Sequence, residues 1–267
     1  FNFACNSNRF NMQLPDDFIR STRQLMGDAL YATLEAGLNA NPLVSIRINP
    51  FKLKTGTFDV HSVESPVPWC PNGFYLAERP NFTFDPMLHQ GLYYVQEAAS
   101  MFIDYVVRNV VQQPVRMLDL CAAPGGKSTC AYSALPVGSV LFSNEPMRQR
   151  AQVLNENILK FGVPHCFVTN NYAHDYQKSR LLFDVVLADV PCSGEGMFRK
   201  DAGAIADWSL TKVAECTALQ RKIITDIWPC LKPNGLLIYS TCTFNAHENE
   251  ENVAWIAEHL GADFGKF

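Results

Sequence analysis

The sequence predicts an α/β protein, a doubly wound and mainly parallel sheet preceded by a smaller α+β module. Three observations carry that expectation. From Val115 onward, short runs rich in Val, Leu, Ile and Phe alternate with helical segments, the pattern of a parallel sheet covered on both faces. A Gly-rich turn, Ala123-Pro124-Gly125-Gly126, follows the first of these runs and opens a helix. Two later runs, from Val185 and from Leu236, lead into Asp189-Val190-Pro191-Cys192 and Ser240-Thr241-Cys242. Both thiols therefore belong at the carboxyl edge of one sheet, where open α/β folds place their chemistry.

Taken in order, the chain first offers a helix over Asp16 to Ala36, with Pro15 suited to its start. Val44 to Asn49 alternates apolar and polar residues, as a half-buried strand does. Pro66, Pro68, Pro71 and Pro80 then punctuate an irregular stretch containing Trp69 and Phe74-Tyr75-Leu76. We assign residues 1–85 to the α+β module, 86–114 to a connecting segment and 115–267 to the parallel-sheet domain. In that domain the expected strands are Val115–Leu120, Ser139–Asn144, His165–Thr169, Phe183–Ala188 and Leu236–Cys242. A helix over Met147–Phe161 is closed by Gly162 and Pro164. A long helix over Leu210–Leu231 is turned into the fifth strand by Pro233-Asn234-Gly235, and Ala246–His259 forms the last helix. The chain then stops, which suggests that the C-terminal end of the sheet is truncated.

Composition narrows the class. A chain of 267 residues with 48% hydrophobic content can bury a sizeable core. No apolar stretch approaches the roughly 20 residues that span a bilayer, and the N-terminus lacks the basic and apolar regions of a secretory signal. It also lacks an initiator methionine, which points to processing or a missing segment. Nine cysteines without one CxxC pair support neither a disulfide scaffold nor a zinc ribbon, so reduced thiols in a cytoplasmic protein and no metal are expected. A net charge of -4 does not advertise nucleic-acid binding, so any such contact requires a local basic patch.

Gly125-Gly126-Lys127-Ser128 is not a phosphate loop, because Cys121 stands where that motif needs its first glycine. No G-x-G-x-x-G is present either. What remains is a tight turn whose helix N-terminal amides face a pocket, and whose glycines permit close backbone approach to a ligand. Glu145 ends the second strand about 20 residues later, where nucleoside-binding α/β folds hold ribose hydroxyls. A first-turn acid beside Pro146 is the blander reading of Glu145, but two correctly spaced parts of a nucleoside pocket favour the ligand role.

Cys5, Cys70, Cys130, Cys166, Cys216 and Cys230 read as small hydrophobes. Cys192 and Cys242 differ, because turn-forming polar residues surround them; Lys127, Arg199 and Lys200 are the cations that could lower a thiol pKa there. Asp189, three residues before Cys192, can hydrogen-bond a heterocycle's ring nitrogen and exocyclic amine together. Cytosine C5 is too weak a nucleophile to accept a methyl group unaided. A thiolate added at C6 makes C5 enamine-like, and a base must then remove the C5 proton before the thiol leaves.

The segments Asp-Leu-Cys-Ala-Ala-Pro-Gly-Gly-Lys-Ser, Asp-Val-Pro-Cys-Ser-Gly-Glu-Gly and Ser-Thr-Cys-Thr together resemble the Nop/Sun family of RNA 5-methylcytosine methyltransferases. Gly-Glu-Gly-Met-Phe-Arg-Lys-Asp and Gly91-Leu92-Tyr93-Tyr94-Val95-Gln96-Glu97 are most similar to its bacterial 16S ribosomal RNA members. The resemblance implies a Rossmann-like methyltransferase fold and an S-adenosylmethionine-dependent enzyme that methylates C5 of an RNA cytosine. It further implies an RNA-binding N-terminal module and ribosomal RNA or the small ribosomal subunit as partner of a monomer. By the same resemblance Cys242 attacks C6, Cys192 releases the product, Asp189 lies between cofactor and base, and Lys127 counts with these three among the catalytic residues. Cys121, Ala122, Ala123, Pro124, Gly125, Gly126 and Lys127 form the cofactor loop, Glu145 binds ribose, and Arg150 borders the cofactor. Asn170 stands where the family commonly has an adenine-contacting Asp, and an amide can still serve both adenine groups. Phe198-Arg199-Lys200 and Arg221-Lys222 are the local basic candidates for RNA. Transfer RNA as substrate, a DNA cytosine methyltransferase and a catalytically silent ribosome-assembly factor are the alternatives.

Overall fold

The computed structural model describes residues 13–53 and 63–265, so Cys5 lies outside the described residues. Helix α1 (Asp16–Asn39) leads into strand β1 (Val44–Ile48), followed by β2 (Val63–Pro66) and β3 (Gly73–Leu76). A short α2 (Pro86–His89), β4 (Tyr93–Val95) and α3 (Phe102–Val110) come next. These strands form an antiparallel sheet in the order β2-β3-β1-β4. The proline-punctuated stretch thus supplies two strands rather than irregular chain, and β4, inside the expected connecting segment, pairs with β1 through Ile46↔Val95.

The second sheet follows the expected alternation: β5 (Arg116–Asp119), α4 (Gly126–Ala134), β6 (Val140–Asn144), α5 (Arg148–Phe161), β7 (Cys166–Thr169), α6 (Tyr176–Ser179) and β8 (Phe183–Asp189). It continues with α7 (Ala202–Asp207), α8 (Leu210–Ile227), β9 (Leu231–Ser240) and α9 (Glu250–Leu260). All pairings are parallel, in the order β7-β6-β5-β8-β9. Strand order reverses between β5 and β8, and in doubly wound sheets ligands bind at the carboxyl ends beside such a switch point.

Two boundaries differ from expectation for backbone reasons. Helix α8 ends at Ile227 rather than Leu231, because Pro229 cannot donate a helical N–H, and a 3₁₀ turn over Trp228–Cys230 replaces the last turn. Strand β9 starts at Leu231, opposite Phe183, and its next partner pair is Val185↔Leu236. Pro233-Asn234-Gly235 is therefore a bulge inside β9, with Asn234 in the left-handed region, rather than a turn before it. The last helix begins at Glu250 rather than Ala246, after a turn.

Adjacent strand residues face opposite layers, as a sheet covered on both sides requires. Met117, Val185 and Leu187 pack against Ile103, Val107, Cys130 and Ala131 of α3 and α4. Leu118, Val186 and Phe183 pack against Tyr176 and Ile227 on the other side. The first cluster also takes in Val67, Cys70 and Met101, so the antiparallel module shares its core with the parallel sheet. Helix α1 contacts a different part, with Phe18 edge-on to Phe198 at 5.1 Å and to Trp208 at 5.6 Å.

The alternation in β1 proves to be two-sided burial. Ser45, Arg47 and Asn49 are all buried, because the polar side of β1 presses on α4 and α5 instead of facing water. Arg47 Nε donates to Gln96 Oε1 at 2.9 Å, and its Nη atoms donate to Thr129 Oγ1 at 2.6 Å and to the Thr129 carbonyl and Ser133 Oγ at 3.3 Å. Asn49 Nδ2 donates to the Phe161 carbonyl at the end of α5. A buried guanidinium whose partners among the described residues are neutral acceptors is costly to desolvate, so each bond it makes matters. Arg47→Ala should destabilise the fold by about 3–5 kcal/mol in urea unfolding, with Arg47→Lys recovering only part of the loss because ammonium lacks the planar fork.

Candidate active site

The cofactor-type loop leaves β5 at Asp119 and is held from behind. The Ala122 N–H donates to the Asn144 carbonyl, and Gly125 closes the turn in the left-handed region at φ 109°. From α5, Arg150 Nη2 donates to the Ala123 carbonyl at 3.0 Å and Asn157 Nδ2 to the Pro124 carbonyl at 2.8 Å. Gly126 and Lys127 form the first turn of α4. Cys121 is half-buried, and burial, reinforced by Asp119 and Glu145, pushes its thiol well above the ordinary range.

Two carboxylates border this loop. Glu145 is 1% exposed; its Oε1 accepts from the Met147 N–H at 2.9 Å, and its Oε2 faces Arg150 Nη1 at 3.3 Å. Asp119, at the end of β5, accepts from Ser128 Oγ at 2.6 Å through Oδ2. Burial pushes its carboxyl up to about 7, against the lowering effect of the Ser128 bond. Glu145 Oε2 and Asp119 Oδ1 are buried oxygens that no described residue hydrogen-bonds. Asn170 donates from Nδ2 to the Glu145 carbonyl at 2.6 Å and the Pro146 carbonyl at 3.0 Å, which sets it on the rim beside Glu145.

Across the switch point, Lys127 Nζ lies 2.8 Å from Asp189 Oδ2, joining α4 to the end of β8. Ser240 Oγ donates to the other oxygen, Oδ1, at 2.7 Å. Cys192 and Cys242 follow these strand ends, are both free thiols, and bring their sulfurs within 3.2 Å. Gly196 packs on Cys242 so closely that an added Cβ would meet the Cys242 carbonyl oxygen at 2.4 Å, so only glycine fits there. Hydrogen bonding splits the pair electrostatically. Cys242 is drawn below the usual thiol range by the Cys192 S–H, with the Gly196 N–H and Lys127 adding to the effect against burial and Asp189. Cys192 is pushed far above that range, by Cys242 first and by burial second. The pair is thus asymmetric, with the lower thiol pKa at Cys242, and Cys242 is the more exposed of the two.

A groove of about 1600 Å³ opens at Cys242, Lys127 and Gly196 and runs along β9 toward Leu30 and Leu34 of α1. The basic candidates for nucleic-acid contact are otherwise engaged. Phe198 is buried, Arg199 and Lys200 both pair with Glu97, Arg221 donates to Asn252 Oδ1 and lies over Trp255, and Lys222 pairs with Asp226. Of the three cations considered for the thiols, Lys127 is the one that acts on Cys242. Elsewhere, Cys70, Asp104 and Cys130 bring potential metal-ligand atoms within 4.8 Å of one another, but all are buried and Asp104 is committed to Arg108 at 2.5 Å. Among the described residues no helix is long and apolar enough to cross a membrane.

Sequence reasoning named Cys121 to Lys127, Glu145, Arg150, Asn170, Asp189, Cys192 and Cys242, and all of them line this one edge of the sheet. It missed Asp119, Ser240 and Glu195, although all three stand in the motifs quoted, and it missed Glu248, which has no local pattern to mark it.

A Rossmann-like sheet with this loop and this pair of thiols defines a methyltransferase class, and the chain belongs to the family described as 16S rRNA methyltransferase RsmB/F, whose model matches residues 109–261. Residues 14–98 match the N-terminal domain of 16S rRNA methyltransferase RsmF. Relatives named ribosomal RNA small subunit methyltransferase F from Enterobacter sp. (strain 638) and Shewanella sp. (strain MR-4) are each 34% identical, over 91% and 95% of this chain and 53% and 54% of theirs. The chain thus spans about half the length of these curated relatives. Among solved structures, a methyltransferase homolog from Pyrococcus horikoshii aligns with TM-score 0.77 at 24% identity, covering 93% of this chain and 80% of that one. NSun6 from the same organism aligns with TM-score 0.78 at 17% identity, over 93% and 88%, and these two likenesses speak to the fold.

Two measurements follow. Peptide-mapped alkylation should modify Cys242 before Cys192 and below the ordinary thiol pKa of about 8.5; Cys192→Ala, by removing the S–H donor, should shift the Cys242 profile upward. Asp119 binds its proton more tightly folded than unfolded, so its contribution is complete below about pH 4 and lost as pH rises to about 7. Urea unfolding against Asp119→Asn should show the wild type losing up to ~4 kcal/mol relative to the variant over that window, and no more above about pH 8.

Proposed function

We propose that this protein transfers a methyl group from S-adenosylmethionine to C5 of a cytosine in RNA, with 16S ribosomal RNA as the substrate. The observation that carries this reading is the pair of free thiols 3.2 Å apart, one disposed as thiolate and the other as acid, beside the Asp189–Lys127 ion pair. Family membership and the names of the relatives support ribosomal RNA as the substrate class.

The edge suits the cofactor. Glu145 Oε2 and Asp119 Oδ1 are buried acceptors without hydrogen bonds from the described residues, as a ligand carrying hydroxyls and an ammonium requires. The residues that would hold it are the Cys121–Lys127 loop, Glu145 for the ribose, Asp119 beneath the loop, Asn170 and Arg150 at the rim, and Asp189 toward the base. When bound it supplies an electrophilic methyl group on a sulfonium centre. The chain's own groups do the rest. Cys242 Sγ adds to cytosine C6, and the electron pair of the 5,6 double bond is held as an enamine, aided by hydrogen bonding at N3 from a proton shared around Asp189 and Lys127.

Bond formation at Cys242 consumes the thiolate charge that holds Cys192 protonated. Once its proton is shed to water, Cys192 is the available base. From the adduct, once C5 has donated its enamine pair to the methyl group, Cys192 would take the C5 proton, the C5–H electron pair would rebuild the 5,6 double bond, and the C6–S bond would break to return the Cys242 thiolate. In this proposal residues 1–85 form an RNA-facing module, residues 115–267 the catalytic unit, and the protein acts as a cytoplasmic monomer.

The test is incubation with labelled S-adenosylmethionine and 16S ribosomal RNA or small subunits. Base-linked 5-methylcytosine is expected. Cys242→Ala should lower turnover by at least about a thousandfold and form no covalent RNA adduct. Cys192→Ala should accumulate that adduct. The opposite pattern would exchange the two roles, and absence of methylation on every native RNA tried would overturn the reading.

A further inference from the structure

We propose that Glu195 and Glu248 form a reciprocal clasp that holds Cys192 and Cys242 at reaction distance, making both acids positioning residues for the two-thiol chemistry. The inference rests on the roles given to the thiols above. Each thiol sits on its own loop, one following β8 and one following β9, and each loop sends a carboxylate into the other. Glu195, three residues past Cys192, accepts from the Phe244 N–H at 2.6 Å and from Asn245 Nδ2 at 2.8 Å, both on the Cys242 loop. Trp208 Nε1 completes its partners at 3.1 Å. Glu248, six residues past Cys242, reaches back to the Cys192 loop. It accepts from the Ser193 N–H at 3.0 Å and from Ser193 Oγ at 2.5 Å.

Two amides lock the exchange. Asn245 Nδ2 donates to both carboxylates, at 2.8 Å to Glu195 and 2.9 Å to Glu248. Gln220 Nε2, from α8, donates to Glu248 Oε2 at 2.7 Å and to the Pro191 carbonyl at 2.9 Å. The network therefore grips the chain on both sides of Cys192, through Pro191 and Ser193. Both carboxylates are 0% exposed, and their hydrogen-bond partners are neutral N–H and O–H donors rather than cations. Burying two acids in this way costs several kcal/mol that an apolar contact would not. Such a cost buys geometric specificity: a carboxylate surrounded by directed donors admits one loop arrangement, where apolar packing admits several.

The test requires neither RNA nor cofactor. Diamide oxidises the two thiols to a disulfide while being reduced to the hydrazine, at a rate set by how often the sulfurs meet. In the wild type the Cys192–Cys242 cross-link should form rapidly. Glu248→Gln and Glu195→Gln keep side-chain shape but turn an acceptor oxygen into a donor against donors, and each should slow the cross-link at least tenfold. Cross-linking at the wild-type rate in either folded variant would overturn the proposal. Should both variants fail to fold, Ser193→Ala removes a single donor while the Ser193 N–H, Gln220 and Asn245 still hold Glu248, and it should slow the cross-link a few-fold in the folded protein; no change there would overturn it equally. On RNA the glutamine variants should lower kcat and accumulate adduct, with KM for S-adenosylmethionine unchanged. Slowed cross-linking without methylation of any RNA by the wild type would keep the clasp and remove the proposed function.

Discussion

The pairing of Asp189 with Ser240, the last rung of the β8–β9 ladder, is the constraint on which the site depends. It sets Ser240 Oγ against one Asp189 oxygen while Lys127 takes the other, and both cysteine loops depart within three residues of that rung. A slip of one residue would turn Ser240 to the opposite face and separate the sulfurs. The bulge at Lys232–Gly235 absorbs the offset between Phe183↔Leu231 and Val185↔Leu236, so the rung stays in register although β9 carries extra residues. An irregularity at the amino end of the strand thus protects geometry at its carboxyl end.

Charge is distributed on the same plan. The two faces of the parallel sheet are apolar, whereas its carboxyl edge gathers Asp119, Glu145, Glu195 and Glu248, all buried. Each would be expensive alone, and the fold treats them differently. Glu195 and Glu248 are satisfied by donors of the chain and serve to fix loops. Asp119 Oδ1 and Glu145 Oε2 receive no hydrogen bond from the described residues, although Glu145 Oε2 faces Arg150, and burial pushes the Asp119 carboxyl up to about 7. Satisfied acids mark structure, and under the proposed function the unsatisfied oxygens mark the ligand pocket, a physical distinction invisible to composition. Arg47 supplies the complementary case, a buried cation whose bonds to α4 join the antiparallel module to the helix that follows the Gly-rich loop.

What was legible in the sequence was local. The five parallel strands, the Gly-rich turn, Glu145 at a strand end and the two Cys motifs all depend on spacing within about twenty residues. Strands β2, β3 and β4 were not legible as a sheet, because they are four residues or fewer and prolines interrupt the alternation that would reveal them. The end of α8 was legible in principle at Pro229, but the apolar run through Leu231 outweighed it. Arg47 read as the polar side of a half-buried strand, since pattern cannot say that a second layer covers that side. The roles of Glu195, although it stands in the Cys192 motif, and of Glu248 were beyond reach, because their partners across the two loops lie 49 to 55 residues away and nothing in either loop announces the other.

Two identical side chains sit in different surroundings here. Cys242 is drawn below the usual thiol range by its neighbour Cys192, with the Gly196 N–H and Lys127 helping, while Cys192, 3.2 Å away, is pushed above that range by Cys242 and by burial although the Gly194 N–H opposes the shift. Neither assignment needs a histidine or a metal, the usual activators of a nucleophilic thiol. In the proposed reaction the asymmetry is self-limiting: it persists only while Cys242 carries charge. Once that sulfur forms a bond, the largest reason for Cys192 to hold its proton is gone, so under this proposal the acid of the first step becomes the base of the last. A pair arranged in this way times its own release, provided that the distance between the sulfurs is held, and that distance is what the register of β8 on β9 and the two buried glutamates maintain together.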